Sequence, residues 1–253
     1  MTVTLEQSLS YLGENTMRIA LQSAFLLHHR PYRESSMLLD VFTKEHGRIS
    51  LIARGVRAPR SKLRSLLQLF SPLLISWQGK TELMTLQHVE AEGIPIRLRG
   101  DCLLSGLYLN ELLVRLLQKQ DAHRQLYTIY HSTLLELAEG KLHQKSLRLF
   151  EKKLLDEIGY GLQLKRTALG DVLLAHRLYR FYPDEGFQLL DENSNTPEHL
   201  IFSGQSLLAL ASEQLDDLLS LRDAKRLMRM VLQRLLGNQS LHSRKLFQGV
   251  VTE

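Results

Sequence analysis

The chain has 253 residues, of which 44% are apolar and 23% charged, and it carries a formal net charge of +5 with a pI near 9.3. These values are ordinary for a soluble globular protein of one large or two smaller domains, and the basic balance is compatible with a polyanionic partner without requiring one. A single cysteine, Cys102, excludes disulfide bonds within the chain and a zinc site made of paired cysteines, and it favours the reducing cytoplasm.

The start of the chain carries no pattern of a regular element. Residues 1–16 are polar and aperiodic, and they predict either a loose N-terminal tail or an artefact of start-site choice, since Met17 stands directly before the first strand. They include neither a basic segment nor a continuous apolar core, so no secretory signal is visible. Apolar runs elsewhere are too short and too often broken by polar residues to span a membrane.

Five short strands joined by hairpin-like turns are predicted next, at about 19–29, 36–43, 48–54, 72–78 and 83–91. Pro31 argues against a ladder that continues through it, so the first strand is expected to end before that residue. The segment 44–47 ends in glycine and is typical of a hairpin turn. Five such strands predict an OB-fold barrel over residues 17–95, a fold whose surface around strands 2 and 3 commonly binds single-stranded nucleic acid.

The stretch from Arg48 to Arg64 is the main candidate site. Apolar and polar side chains alternate from Arg48 to Arg54, which places these two arginines on one face of a strand. Gly55 and Pro59 then mark a loop, and residues 54–64 include five basic side chains and no acid. Such a loop can lie along a phosphate backbone, although a solvated loop explains the same pattern. The candidate DNA-binding residues are Arg33, Arg48, Arg54, Arg57, Arg60, Lys62 and Arg64, with Tyr32 either stacking on bases or packing at the barrel rim.

After Pro95 the apolar period changes from two to about 3.6, so residues 96–253 are predicted to form a mainly helical domain and the fold class is α+β. Helices are expected at about 101–118, 123–138, 144–158, 206–219 and 221–236. An irregular segment, 162–202, follows the third helix and contains short strands near 177–182 and 187–190. The last helix carries a basic stripe that a solvated face explains most simply, formed by Arg222, Lys225, Arg226 and Arg229.

No catalytic motif is present in the chain. The phosphate-binding loop G-x-x-x-x-G-K-[ST] is missing, as are G-x-S-x-G and G-x-G-x-x-G. Ten histidines are scattered without the spacing of metal ligands. We therefore expect no catalytic residue, metal or cofactor and a protein that is not an enzyme, although a dispersed active site, for example that of a nuclease, is a weaker alternative.

Four segments together resemble the RecO family of recombination mediators. They are AFLLHHRPYRESSMLLDVFTKEHGRISLIARGVR at 24–57, LYLNELL at 107–113, the FE–LL–IGYG pattern of 150–161 and SRKLF at 243–247. The resemblance implies an N-terminal OB-fold, a helical C-terminal domain and a cytoplasmic, nucleoid-associated protein of bacteria. It also implies that the protein binds single- and double-stranded DNA, anneals complementary strands and, with RecR, helps to load RecA onto DNA coated by the single-stranded DNA-binding protein in the RecF pathway.

The chain departs from the family pattern in two places. Some relatives carry a four-cysteine zinc finger in the irregular segment, whereas residues 162–202 contain no cysteine and must be held together by packing. Residues 1–16 fall outside the pattern as well. A protein–protein assembly adaptor with incidental DNA binding is the competing interpretation of the whole chain.

The resemblance further implies a site on the helical domain for the acidic, apolar C-terminal tail of the single-stranded DNA-binding protein. An arginine just before an F-E pair is implicated in relatives, and Arg148 matches it. The third helix has a predicted buried stripe of Leu147, Phe150, Leu154 and Ile158. Arg148, Lys152 and Leu155 form a second line on a different face, where cations and an apolar side chain could hold such a tail, unless their arrangement is due to chance.

Overall fold

The computed structural model describes residues 17–140, 143–191, 195–237 and 241–243. The predicted tail at 1–16 and most of the SRKLF segment lie outside these residues. Contacts divide the chain into a barrel unit, residues 1–139 with 241–253, and a helical unit, residues 140–240. The predicted boundary at residue 95 follows the change in secondary structure, whereas by contacts the first two long helices belong with the barrel.

The barrel is closed and five-stranded, in the order β1-β2-β3-β5-β4, which confirms the predicted architecture. Its strands are β1 (Met17–Tyr32), β2 (Ser36–Thr43), β3 (Gly47–Ala53), β4 (Pro72–Gly79) and β5 (Leu83–Ala91). Neighbouring strands are antiparallel except for β3 and β5.

The expectation that Pro31 ends the ladder is wrong, because Pro31 pairs with Met37 of β2. Beyond Phe25, β1 has no further pairing to β4, so its other side is a sheet edge. A missing N–H group costs nothing at an edge, which explains why the strand continues through the proline.

The core of the barrel follows the alternation of the strands. Burial of β3 alternates along its whole length, with Ile49, Leu51 and Ala53 inside. The hairpin turn between β2 and β3 requires glycine, because Gly47 has φ +61° and a Cβ atom there would lie 1.7 Å from the carbonyl oxygen of Asp121.

The barrel unit also contains the short helix α1 (Leu63–Leu66), and two long helices complete it, α2 (Gly100–Leu116) and α3 (Arg124–Ala138). A buried polar chain attaches them to β1: Asn110 Nδ2 donates to the Leu27 carbonyl oxygen at 2.9 Å, and the Tyr130 hydroxyl donates to Asn110 Oδ1 at 2.6 Å. Burial raises the pKa of Tyr130, so the phenol remains a neutral donor. Because the side chains of Asn110 and Tyr130 are both hydrogen-bonded, the two helices have a defined position on the barrel.

The short segment at 241–243 is held by Glu111 of α2. The carboxylate accepts hydrogen bonds from the backbone N–H groups of His242 and Ser243 at 2.8 and 2.9 Å and from the Ser243 hydroxyl at 2.7 Å, and Arg115 lies 2.7 Å away. Partial burial raises the pKa of Glu111, but the hydrogen bonds from Ser243 and His242 and the charge of Arg115 together lower it below its usual value.

We expect Glu111→Gln to remove an acid-sensitive part of the stability. A depressed folded-state pKa means that the stabilisation is complete above the unfolded pKa of 4.5 and is lost as the pH falls from there through the folded pKa. The melting temperatures of the unmodified protein and of Glu111→Gln, measured between pH 7 and pH 3, should therefore differ most near neutrality and converge below about pH 4.5. Exposed Glu34, changed to Gln, is the matched control. A difference that stays constant with pH would contradict the assignment.

The helical unit contains α4 (His143–Glu157), β6 (Leu178–Tyr182), β7 (Gly186–Leu189), a 3₁₀ turn (Glu198–Leu200), β8 (Ile201–Ser203), α5 (Gly204–Ala211) and α6 (Leu218–Leu236). The predicted strands of the irregular segment correspond to β6 and β7, and β8 adds a third strand in the order β7-β6-β8. One face of this sheet is a cluster of buried aromatic rings: Tyr179, Phe181, Phe187 and Phe202. Ring packing therefore stabilises the segment that is cysteine-free in this chain.

The last helical pair differs from its predicted bounds. A helix was expected to reach residue 219, but α5 ends at Ala211 and α6 begins at Leu218. Asp217 caps α6, since its Oδ1 accepts a hydrogen bond from the Ser220 N–H at 2.8 Å. Across the ranges that the structure describes, no helix is both long and apolar enough to cross a membrane.

Candidate nucleic-acid interface

The basic loop after β3 has an anchored backbone. Val56 is only 1% exposed and inserts into the barrel core, and Leu67 does the same at the far end of the loop. Between them the chain forms turns and the short helix α1 (Leu63–Leu66), whose leucines pack half-buried on the same core. The basic side chains point outward: Arg54, Arg57, Arg60, Lys62 and Arg64 are all exposed. A fixed backbone with exposed cations is suited to binding a phosphate backbone.

Arg57 fastens this loop to the turn between β1 and β2. Its backbone N–H donates to the Ser35 carbonyl oxygen at 2.9 Å, and its guanidinium donates to the Arg33 carbonyl oxygen at 3.1 Å. This contact brings exposed Arg33 next to the loop cations. We call Arg33, Arg54, Arg57, Arg60, Lys62 and Arg64 the barrel cationic surface.

A groove of about 460 Å³ runs beside this surface and is lined by Tyr32, Arg33, Ser35, Ser36, Ile52 and Arg54. The Arg33 guanidinium lies 5.2 Å from the centre of the half-buried Tyr32 ring. An arginine and an aromatic ring at one groove are the groups on which unstacked bases pack. The serines and Ile52 have no signal in the sequence that marks them as site residues, because a contact between distant segments creates the groove.

The barrel cationic surface has no internal neutralisation among the residues that the structure describes. None of its six side chains lies within ion-pair distance of a carboxylate of the described residues, whereas other cations of the barrel unit are paired, such as Lys119 with Glu82 and Arg124 with Glu45. Its positive potential is therefore available to an external anion.

Arg48 is not brought together with the other candidates. It is the second residue of β3, and Arg54, one residue past the end of that strand, lies about 20 Å further along the extended chain at roughly 3.3 Å per residue. Its side chain is half-buried, donating from Nε to the Leu117 carbonyl oxygen at 3.0 Å and lying 3.5 Å from Asp40 Oδ1. Arg48 thus braces β3 against β2 and the segment after α2. The predicted shared face therefore does not bring Arg48 and Arg54 into one site, because the two residues lie far apart along an extended segment.

The proposed tail site on α4 is more buried than the sequence indicated. Leu147, Phe150 and Leu154 are buried as expected, but Arg148 is only 6% exposed and Leu155 only 1%. Neighbouring elements, including α6, cover more than one face of α4, so the second line does not present Arg148 and Leu155 to solvent.

The cations of this second line already have acidic partners. Arg148 Nη1 lies 2.9 Å from Oε2 of the fully buried Glu151. Lys152 Nζ lies 3.0 Å from Glu213 Oε1 and 3.7 Å from Asp156 Oδ2. A hydrogen bond from Lys153 is the main cause, with Lys152 contributing, of the lowered pKa of Glu213. An incoming carboxylate would have to displace one of these acids.

In the described part of the chain, no group of three or more His, Cys, Asp or Glu side chains is arranged to hold a metal ion. Cys102 is a half-buried free thiol near the start of α2.

Comparison with known proteins gives matches along almost the whole chain. The family described as "Recombination protein O N terminal" matches residues 17–94, and "Recombination protein O C terminal" matches residues 97–245. A curated relative from Coxiella burnetii (strain RSA 331 / Henzerling II), called DNA repair protein RecO, is 46% identical over 91% of this chain and 99% of its own. Relatives of the same name from Burkholderia pseudomallei (strain 1710b) and Methylococcus capsulatus (strain ATCC 33009 / NCIMB 11132 / Bath) are each 43% identical, over 90% and 92% of this chain and 83% and 94% of their own.

Proposed function

The chain belongs to the recombination protein O family of DNA repair proteins, and from that premise we propose that it is a recombination mediator that binds single- and double-stranded DNA and anneals complementary strands. The observation that carries the proposal is the barrel cationic surface. Its six cations are exposed, have no acidic partner in the described residues, and lie on one anchored loop or on the turn fastened to it. Such a surface suits a polyanion regardless of its base sequence.

Annealing requires that the protein neutralise phosphates while the base edges remain free to pair. Lysine and arginine contacts to phosphate satisfy the first condition, since they carry no direct sequence information. Tyr32 and Arg33 at the groove satisfy the second if bases stack on them, because stacking occupies the face of a base and leaves its pairing edge open. In this mechanism the protein breaks no covalent bond and needs no ATP, metal or cofactor, so we propose that it is not an enzyme.

Strand pairing of fluorescent complementary oligonucleotides, without nucleotide or metal, tests this function. We expect the protein to raise the pairing rate by about tenfold or more at low salt, since electrostatic concentration of charged partners raises association rates by 10–10³. The acceleration should decline as salt increases. Cleavage of the strands would instead indicate a nuclease, and an unchanged rate would favour the assembly adaptor.

The proposed partners are RecR and the acidic C-terminal tail of the single-stranded DNA-binding protein, with loading of RecA as the cellular outcome in the cytoplasm. We propose that the tail binds on α4 at Arg148, Lys152 and Leu155; because Arg148 and Leu155 are almost fully buried, the site must open locally to admit it. Because Arg148 and Lys152 already hold Glu151 and Glu213, binding of the tail would exchange one internal carboxylate for one of the partner. The affinity would then reflect the difference between two ion pairs rather than the gain of a new one.

A further inference from the structure

A row of exposed cations that have no acidic partner in the described residues lies on α6, in the helical unit. Arg222, Lys225 and Arg229 follow one another at steps of three and four, which places them on one face of the helix, and all three are exposed. None of them is within ion-pair distance of an acid in the ranges the structure describes; the ion pair that α6 makes near them uses Arg226. The sequence pattern grouped Arg226 with this stripe, but its environment is different.

Arg226 is an internal brace. Its guanidinium donates to the Glu198 carbonyl oxygen at 2.9 Å and to the Ile201 carbonyl oxygen, and it lies 4.3 Å from the centre of the Phe202 ring. It also pairs at 2.8 Å with Asp223, which is 7% exposed and is the one acid in the sequence of α6. This pairing removes the acid that could have neutralised the neighbouring cations, while the contacts of Arg226 with Ile201 and Phe202 attach α6 to β8.

The shape of the exposed face decides between classes of anionic partner. A helix that lies on a membrane inserts a broad apolar face, but that of α6 is packed in the unit: Ala224, Leu227, Met228 and Leu232 are buried. Leu218 and Leu219 are the large apolar side chains exposed on the described helix, and both are at its first turn. An acidic peptide would need a pocket for its apolar side chains, which a convex polar helix face does not provide.

The spacing of the cations fits a nucleic-acid backbone. Arg222 and Arg229 are about 10 Å apart along the helix axis at 1.5 Å per residue. A strand of duplex DNA carries one phosphate per about 3.4 Å, so three cations over this length meet about three phosphates.

We propose that Arg222, Lys225 and Arg229 form a second phosphate-backbone site, which holds a nucleic-acid strand independently of the barrel cationic surface. This proposal rests on the proposed function and deepens it, because one chain with a site in each unit can hold two strands at once. Annealing would then draw on both sites, whereas retention of a single strand would need only one of them.

The test compares two double variants of the full chain. In Arg222→Glu/Arg229→Glu the α6 face is reversed, and in Lys165→Glu/Arg177→Glu two exposed cations elsewhere in the same unit are reversed, with the same change in net charge. We expect the α6 variant to lower the annealing rate by about tenfold and, for the second bound oligonucleotide, the slope of log K against log salt by about 1.4, at 0.7 per lost contact to a single strand. It should still bind one oligonucleotide through the barrel surface, and the control should match the unmodified protein.

Further measurements separate the outcomes. Arg222→Gln/Arg229→Gln, which keeps good helix formers, should show a smaller loss in the same direction, and circular dichroism should show intact helices. Equal annealing rates and salt slopes for the α6 variant and its control would overturn the inference while leaving the proposed function intact. An unmodified protein that neither binds nor anneals DNA would overturn both. Binding to vesicles of 30% phosphatidylserine that is lost in the α6 variant, with DNA binding unchanged, would overturn it in favour of a membrane site.

Discussion

Replacement of Arg148 by alanine is expected to lower the unfolding free energy of the helical unit by about 3–5 kcal/mol, the usual cost of removing one partner of a buried ion pair. The reason is Glu151, which is fully buried in α4 and whose carboxylate lies 2.9 Å from the Arg148 guanidinium. Without that cation a carboxylate remains in a poorly solvated position, and it must either keep an insufficiently compensated charge or take up a proton.

Urea unfolding followed by circular dichroism measures this effect. Lys153→Ala is the matched control, since Lys153 pairs with Glu213 near the surface and its loss should cost less than about 1 kcal/mol. Arg148→Met/Glu151→Leu removes both charges and should recover much of the stability, because two apolar side chains of similar size leave no buried charge. If Arg148→Ala unfolds at the same urea concentration as the unmodified protein, the pair does not stabilise the unit.

This expectation also determines how the tail proposal should be tested. Arg148→Ala would combine a loss of stability with a loss of binding, so Arg148→Lys, which retains the charge but not the planar fork of donors, is the better variant. A labelled tail peptide should bind this variant more weakly while a labelled oligonucleotide binds as before. Equal losses for both ligands would place Arg148 on the DNA surface instead.

Charge reversal of the basic loop is expected to have the largest effect on DNA binding. In Arg54→Glu/Arg60→Glu/Arg64→Glu, loss of three phosphate contacts should reduce the salt slope for a single strand by about 2, at 0.7 per contact, and weaken binding by more than about tenfold at low salt. These side chains are exposed and lie outside the contacts that hold the loop, whereas Arg57 fastens the loop to the β1–β2 turn and is left unchanged.

Lys44→Glu/Lys80→Glu/Arg97→Glu is the matched control. These exposed cations belong to the same unit, and their reversal changes the net charge by the same amount. A specific loop site predicts that the two triple variants differ in salt slope, with the control close to the unmodified protein. Equal slopes would mean that the loop is not where DNA binds and that only net charge matters.

Prediction of the barrel from sequence succeeded because strand formation has a local signal. The alternation of apolar and polar residues along 48–54 predicts which side chains face inward, whatever the partner strand is. The structure shows that alternation of burial throughout β3. The same reasoning failed at Pro31, where the outcome depended on whether β1 has a neighbour on both sides. Pairing partners come from distant parts of the chain, and residue type alone does not reveal them.

Helix α4 shows the same limit in another form. A period of 3.6 identifies a first apolar face, and Leu147, Phe150 and Leu154 are buried accordingly. The period does not indicate how many other elements pack around the helix, so the burial of Arg148 and Leu155 could not be predicted from it. Charged residues are normally exposed, and an exception arises only where a partner such as Glu151 is held beside them.

The sequence by itself determined the barrel, the helical second half, the family and the acid-free composition of the basic loop, because each of these follows from residue type and spacing along the chain. Only the tertiary structure decided which cations remain available to an external anion. Arg48, Arg148 and Arg226 have the same side chain as Arg54, Arg222 and Arg229, but the first three are held by internal acids or carbonyl oxygens. Long-range packing brings those partners into place, and a charge that is already compensated inside the protein contributes little to binding a phosphate.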